Sequence, residues 1–242
     1  MEYLDNTGRQ RLGDALRESI DEGARLLIIA SFFTVFAYGE LKEELSKVDE
    51  LRFVFSEPTF AKQMQADKDP MEFVLSRRSR ERGIGGTGLE LTLKNNLNQR
   101  AIARECAEWV RSHAAFKTAK QAGMIATSGA YHVDNPASES HAFMGSQANS
   151  FTLEGLGYER RPGVITGVSH FQTTMEAMGL KAMFDGIWDN PAMVEEVTKE
   201  VTRQIETLYR ENPPEFIYFL TLYHLFRDYM EDVDDPIKPG LK

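Results

Sequence analysis

The chain has 242 residues, with 28 Lys and Arg against 37 Asp and Glu for a formal charge of −9, and it is 42% hydrophobic and 27% charged. That balance fits one large globular domain or one domain with an appendage, and it excludes disorder, collagen and coiled coil. No window of 18 apolar residues exists, the start MEYLDNTGRQ has no basic stretch leading into an apolar run, and Cys106 is the single cysteine. A membrane helix, a secretory signal and a disulfide framework are therefore not expected, and the cytoplasm is the expected compartment.

In chain order, Leu12, Leu16 and Ile20 form one helical face that Gly23 closes. The run Leu26–Ala30 is apolar at every position, as a strand covered on both faces should be. Leu41, Leu45 and Val48 predict a short helix, and Leu51–Phe55 a second buried strand closed by Glu57-Pro58. This β-α-β order predicts parallel pairing. Residues 59–93 are polar and poorly periodic and read as an insertion, with Leu89–Leu93 strand-like at its end. From Asn96 a helix is expected, with Ile102, Cys106, Trp109 and Val110 on one face. Strands are expected at 122–126, 130–134 and 140–144, a turn over Gly145–Gly157, and a further strand at Val164–Val168. Three helical stripes follow: Met183, Phe184, Ile187 and Trp188; then Val194 to Leu208; then the aromatic Phe216–Tyr229. The organisation expected is an α/β domain over 1–180, with the insertion at 59–93, and a helical extension over 181–242.

Charge is unevenly spread. Residues 75–120 carry 10 basic and 4 acidic side chains, whereas the rest of the chain is acidic. Arg77, Arg78, Arg80 and Arg82 form the densest basic cluster, which Lys94, Arg100, Arg104 and Arg111 extend. Such a segment suits phosphate contacts, and its plain alternative is a solvated surface. Gly83–Gly88 spells G-x-G-x-x-G, but an arginine cluster precedes it where the dinucleotide fingerprint needs a strand, so a loop is expected. No G-x-x-x-x-G-K-[ST] occurs, so this chain holds no P-loop ATPase. No His, Cys or acidic spacing suits zinc, and no metal or other cofactor is expected. In the turn, Gly145-Ser146 and Asn149 combine small residues with a hydroxyl and a carboxamide, groups that can hydrogen-bond a phosphate.

Ile28–Thr34, Leu51–Pro58, Ile102–Val110, Tyr131–Asn135, Gly145-Ser146 with Asn149–Thr152, Gly155–Gly157 and Pro214–Tyr218, taken in this order and spacing, carry a resemblance that covers nearly the whole chain. The chain resembles the phospholipase D-like domain at the N-terminus of bacterial Swi/Snf-type (superfamily 2) DNA helicases. The resemblance implies a mixed β-sheet flanked by helices, DNA as a partner, the motor domain of the same polypeptide as a second partner, and a homodimer. Family chemistry uses H-x-K-x4-D followed by a G-S-x-N turn. One histidine attacks phosphorus, a second protonates the leaving oxygen, and lysines hold the phosphate.

This sequence departs from the motif. With Asp134 at the motif aspartate, Thr127 stands for the histidine and Gly129 for the lysine. With His132 as nucleophile, Asp134 takes the lysine position and Glu139 the aspartate position. No histidine of the five has a lysine two residues on. The turn also carries one extra residue. The expectation is a catalytically inactive module with Asp134, Ser146 and Asn149 as a relict site, and Arg77, Arg78, Arg80, Arg82 and Arg104 contacting DNA. The alternatives are a metal-independent phosphodiesterase using His132, or an interaction module that binds no nucleic acid.

Overall fold

The computed structural model describes residues 1–6, 10–58, 88–125, 128–159 and 167–209, with residues 88–99, 147 and 207 described for their backbone only. Leu26 to Ala30 lose water on both sides: Leu26, Ile28 and Ala30 face one apolar layer, Leu27 and Ile29 the other. This strand, β2 (Ala24–Ala30), follows β1 (Glu2–Leu4) and α1 (Leu12–Ser19) and sits near the middle of an eight-stranded sheet. After it come the two-residue β3 (Phe32–Phe33), α2 (Val35–Glu40), α3 (Lys42–Leu45) and β4 (Val48–Phe55). The long α4 (Gly88–His113) then leads into β5 (Ala114–Ala119). Strands β2, β4 and β5 are mutually parallel and adjacent, which is the expected β-α-β pairing.

The chain returns through β6 (Ala130–Asp134), which pairs antiparallel with β2, and β7 (His141–Gly145), antiparallel with β6. A 3₁₀ turn (Gln147–Asn149) and β8 (Ser150–Phe151) follow, and β8 pairs with β3 in a small second sheet. Then come β9 (Val168–Phe171), α5 (Thr174–Trp188), β10 (Val194–Glu196) and α6 (Thr198–Thr207). The order across the large sheet is β1-β9-β7-β6-β2-β4-β5-β10. It is a mixed sheet with helices on both faces. Helices α1, α2, α3, α4 and α6 supply the larger apolar layer, and α5 supplies the smaller one through Phe184 and Trp188. The first compact unit runs from Met1 to Tyr209, so α5 crosses the 180/181 boundary drawn from sequence.

Several elements differ from expectation. Val48 opens β4 instead of closing a helix, because it pairs with Ala24 at the entry of β2. Residues 88–93 belong to α4, so Leu89–Leu93 is helical and the insertion is shorter than 59–93. Residues 122–125 form a turn, with Met124 N–H donating to the Gln121 carbonyl. The strand lies before it as β5, whose alanine-rich sequence carries little β signal but whose partner β4 ends at the same level, Phe55 opposite Thr118. The strand expected at 164–168 is β9 at Val168–Phe171; residues 164–166 lie outside the described residues. Val194 belongs to β10, which takes the open edge of β5, and the helix of that stripe begins at Thr198. The short β1 was not expected. Phe216–Tyr229 lies outside the described residues.

Phe33, Phe53, Phe116 and Phe151 lock β3 and β8 onto the large sheet. Phe33 meets Phe53 and Phe116 edge-on at 5.8 and 5.3 Å and stacks on Phe151 at 5.3 Å. Such geometries add about 0.5–1.5 kcal/mol per pair beyond burial. Phe116 is fully buried at the centre of this nest, so Phe116→Ala is expected to cost about 3–5 kcal/mol, read as a lowered urea midpoint.

Candidate functional site

In an α/β sheet, the carboxyl ends of parallel strands are where a ligand meets side chains that the core does not consume. Here that edge begins where the apolar runs stop. Ser31 directly follows β2 and Ser56 directly follows β4; both are buried, and their hydroxyl oxygens are 2.8 Å apart. The Ser31 hydroxyl donates to Asn149 Oδ1 at 3.2 Å, and its backbone N–H donates to the Asn149 carbonyl at 2.8 Å. On the neighbouring strand, the buried Thr118 hydroxyl donates to the Glu57 carbonyl at 3.0 Å. The result is a row of neutral polar groups along one sheet edge. Lys120, one residue past β5, is turned to the Pro191 carbonyl at 2.6 Å.

β6 starts at this edge. Gly129, just before it, has a φ of +89°, and a Cβ built there would overlap the Ala148 carbonyl group and the Asn149 backbone nitrogen. The 3₁₀ turn is seated in the space a side chain would need. Gly145 N–H donates to the Gly129 carbonyl at 3.3 Å, which ties the ends of β6 and β7 together beneath the exposed Ser146. Gly129, Ser146 and Asn149 therefore share one edge, while Thr127 lies outside the described residues.

The other residues drawn from sequence lie elsewhere. Asp134 ends β6 opposite Arg25, so it stands at the far edge of the sheet, roughly 16 Å along the strand from Gly129. Its carboxylate receives Lys181 Nζ at 2.6 Å and the Ser140 hydroxyl at 3.4 Å. Burial pushes its pKa up, but the Lys181 hydrogen bond and charge prevail and hold it below the ordinary value. Glu139, the alternative motif acid, accepts from Thr174 N–H at 2.6 Å at the start of α5. His132 sits at mid-strand between Leu27 and Ala142, on the α5 face, 2% exposed, and neither ring nitrogen has a hydrogen-bond partner among the described residues. Burial pushes its pKa down to about 4. Arg104 is exposed on α4, its guanidinium 5.7 Å from the Tyr209 ring centre. Arg77, Arg78, Arg80 and Arg82 lie outside the described residues, as do Gly83–Thr87 of the glycine motif.

Sequence reading missed Ser31, Ser56 and Thr118. A signal existed for two of them: Ser31 and Ser56 are the first polar residues after strands read as parallel, which is where ligands collect. It also missed the pairing of His141 with His170. Their ring nitrogens are 3.1 Å apart, His170 stacks on Phe143 at 4.3 Å, and burial together with His141 lowers the His170 pKa to about 4. Among the described residues, no group of three or more His, Cys, Asp or Glu side chains is placed to hold a metal ion, and no helix is long and apolar enough to cross a membrane. Compared with known proteins, the chain matches no family model and no curated sequence.

Two outcomes follow from this geometry. Gly129→Ala is expected to destabilise by about 1–3 kcal/mol or more, because the residue must both hold a left-handed backbone and displace the Asn149 amide; urea unfolding reads this directly. His132 and His170 take protons near pH 6.5 when unfolded but only near pH 4 when folded. Unfolding therefore takes up protons between these values, and stability is lost as pH falls from about 6.5 to 4, by about 1.4 kcal/mol per pH unit for each histidine. In melts across that range, His132→Leu should flatten the slope by about one proton.

Proposed function

We propose that this chain is a catalytically inert phospholipase D-like module that binds phosphodiesters and positions DNA, or the motor domain of a DNA helicase, without cleaving the strand. One observation carries the reading: with Asp134 taken as the motif aspartate the lysine position falls on Gly129, and the backbone of the Asn149 turn fills the space where any side chain would start. A lysine has no seat there. What remains at the same edge is the exposed Ser146 hydroxyl and the half-buried Asn149, above a Ser31–Ser56 hydroxyl pair that is buried and bonded internally.

Neutral donors can orient a phosphate but do not supply the charge that stabilises a pentacovalent phosphorus. His132 does not repair this. It lies under α5, on a different part of β6 from the polar row, and a ring held neutral by burial and sealed from solvent has no path to an incoming phosphodiester. Long-range attraction to DNA is assigned to the basic segment 75–120, and above all to Arg77, Arg78, Arg80 and Arg82.

A second reading, a protein-docking module, draws on α5. Met175 and Met178 are 84% and 61% exposed, and Gly179, Ala182 and Gly186 continue an uncharged outer stripe.

Labelled single-stranded and duplex DNA, titrated in EDTA at about 50 mM salt, separates the readings. Binding without cleavage is expected, with affinity falling as salt rises. Replacing the four arginines with alanine should reduce the log–log salt slope by about 0.9 for each duplex phosphate that is no longer neutralised. Cleavage that disappears in His132→Ala would overturn the inert-module reading. Absence of DNA binding by the wild type at this salt would overturn the nucleic-acid reading in favour of docking.

A further inference from the structure

We infer that the outer face of α5 is a homodimer interface, on which two copies of this chain pack antiparallel about a two-fold axis between Gly179 and Ala182. This commits the α5 face described above to one occupant, and it stands apart from the phosphodiester-binding reading, whose groups lie at the sheet edge. Met175, Gly179, Ala182 and Gly186 follow one another at spacings of four, three and four, which is a single helix face, opposite the buried Ala177, Phe184 and Trp188. A helix stripe that faces water ordinarily carries charge, yet the three charged residues of α5, Glu176, Lys181 and Asp185, all lie to its sides. Glycine is the poorest helix former after proline, and a Cβ built on Gly179 or Gly186 would meet nothing within 4 Å. Packing among the described residues therefore calls for neither glycine, whereas close approach of a second backbone calls for both.

The sheet beside α5 is apolar and uncovered as well. One row of paired residues runs from Ile29, in the α5 layer, through Ala130, Met144 and Ser169 to Tyr3, so Met144 and Tyr3 share the α5 side. Both are exposed, as are Met175 and Met178. Exposed apolar side chains that gather on one side of a sheet mark an interaction surface. A chain of charge −9 repels its own copies, so self-association has to use a face without acids, and this stripe has none.

The stripe is also complementary to itself. Its N-terminal half projects, with the two methionines, and its C-terminal half is recessed, with Ala182 and Gly186. A two-fold at the midpoint of Gly179 and Ala182 turns one helix end for end. Met175 then lies over Gly186 of the second copy, and Gly179 lies against its Ala182. Each ridge fills the other copy's recess, which is what an isologous interface requires. A parallel pairing would set ridge on ridge and glycine on glycine, and would bring together two helix C-termini made acidic by Asp185 and Asp189. Small residues at the crossing let the helix axes approach to about 8 Å. The 15-residue α5 is about 22 Å long and about 10 Å wide, well short of the roughly 800 Å² that a standard interface takes from each partner, so the dimer is weak and forms with concentration.

Sedimentation velocity without DNA, from about 5 to about 500 µM protein, is the test. Wild type should move from the 27.5 kDa monomer towards twice that mass across the range. Gly179→Leu, which places a side chain at the axis, should weaken association roughly tenfold or more, yet melt at or above wild type because the space there is open. On oxidation, Ala182→Cys should give a covalent dimer, since the axis brings the two copies of this position within about one helical turn of each other. Met175→Cys should not, its two copies being about 16 Å apart along the helices. The native Cys106 is buried and does not interfere. A dimer that Gly179→Leu leaves intact, or cross-linking at position 175 in preference to 182, overturns the proposal. A monomer throughout the range also overturns it and leaves α5 to a different protein. The DNA titration is independent of all these outcomes, so the phosphodiester-binding reading stands or falls separately.

Discussion

Burial of β2 on both faces is the constraint on which the rest of this structure depends. Five successive residues without a polar side chain can be satisfied only if helices cover the sheet above and below and if strands flank it on both edges. The parallel neighbour β4 and the antiparallel neighbour β6 complete its backbone hydrogen bonds. Leu26, Ile28 and Ala30 then join one apolar layer, and Leu27 and Ile29 the other. Where the apolar run ends, water-seeking groups appear at once, and the candidate site is the set of residues at that boundary.

The boundary is sharp because it is built from both sides. Beneath it, four phenylalanines hold β3 and β8 against the sheet; above it, Ser31, Ser56 and Asn149 satisfy one another. Each depends on the other. The aromatic nest fixes the backbone that aims the hydroxyls, and the polar row spares the nest from ending in unpaired groups. Gly129 closes the arrangement by letting the 3₁₀ turn approach the start of β6 more closely than any side chain would allow. The closeness that seats Asn149 leaves no room for a side chain at position 129.

Electrostatics divides β6 along its length. At its far end Asp134 is neutralised by Lys181, at its middle His132 is kept neutral by burial, and at its near end Gly129 offers only backbone. A strand that reads as a compact chemical motif, Tyr131-His132-Val133-Asp134, thus distributes its polar residues over separate surroundings. Alternation puts His132 and Asp134 beneath α5, while the turn with Ser146 and Asn149 lies past the opposite end.

The sequence by itself determined what depends on local periodicity and on the burial of runs: the two apolar strands, their parallel relation, β6 at residues 130–134, the helix through Val110 and the α/β class. It also located the polar turn with Ser146 and Asn149. The tertiary structure alone decided what depends on partners. Alanine-rich β5 is a strand because β4 offers it an edge, Val194 is extended because β5 offers another, and Ser31 and Ser56 form a pair although 25 residues separate them. Side-chain period says which face a residue takes within its own element. It does not say which residues from other elements share that face, because the answer lies in sheet order and register, which are set by hydrogen bonds between distant segments.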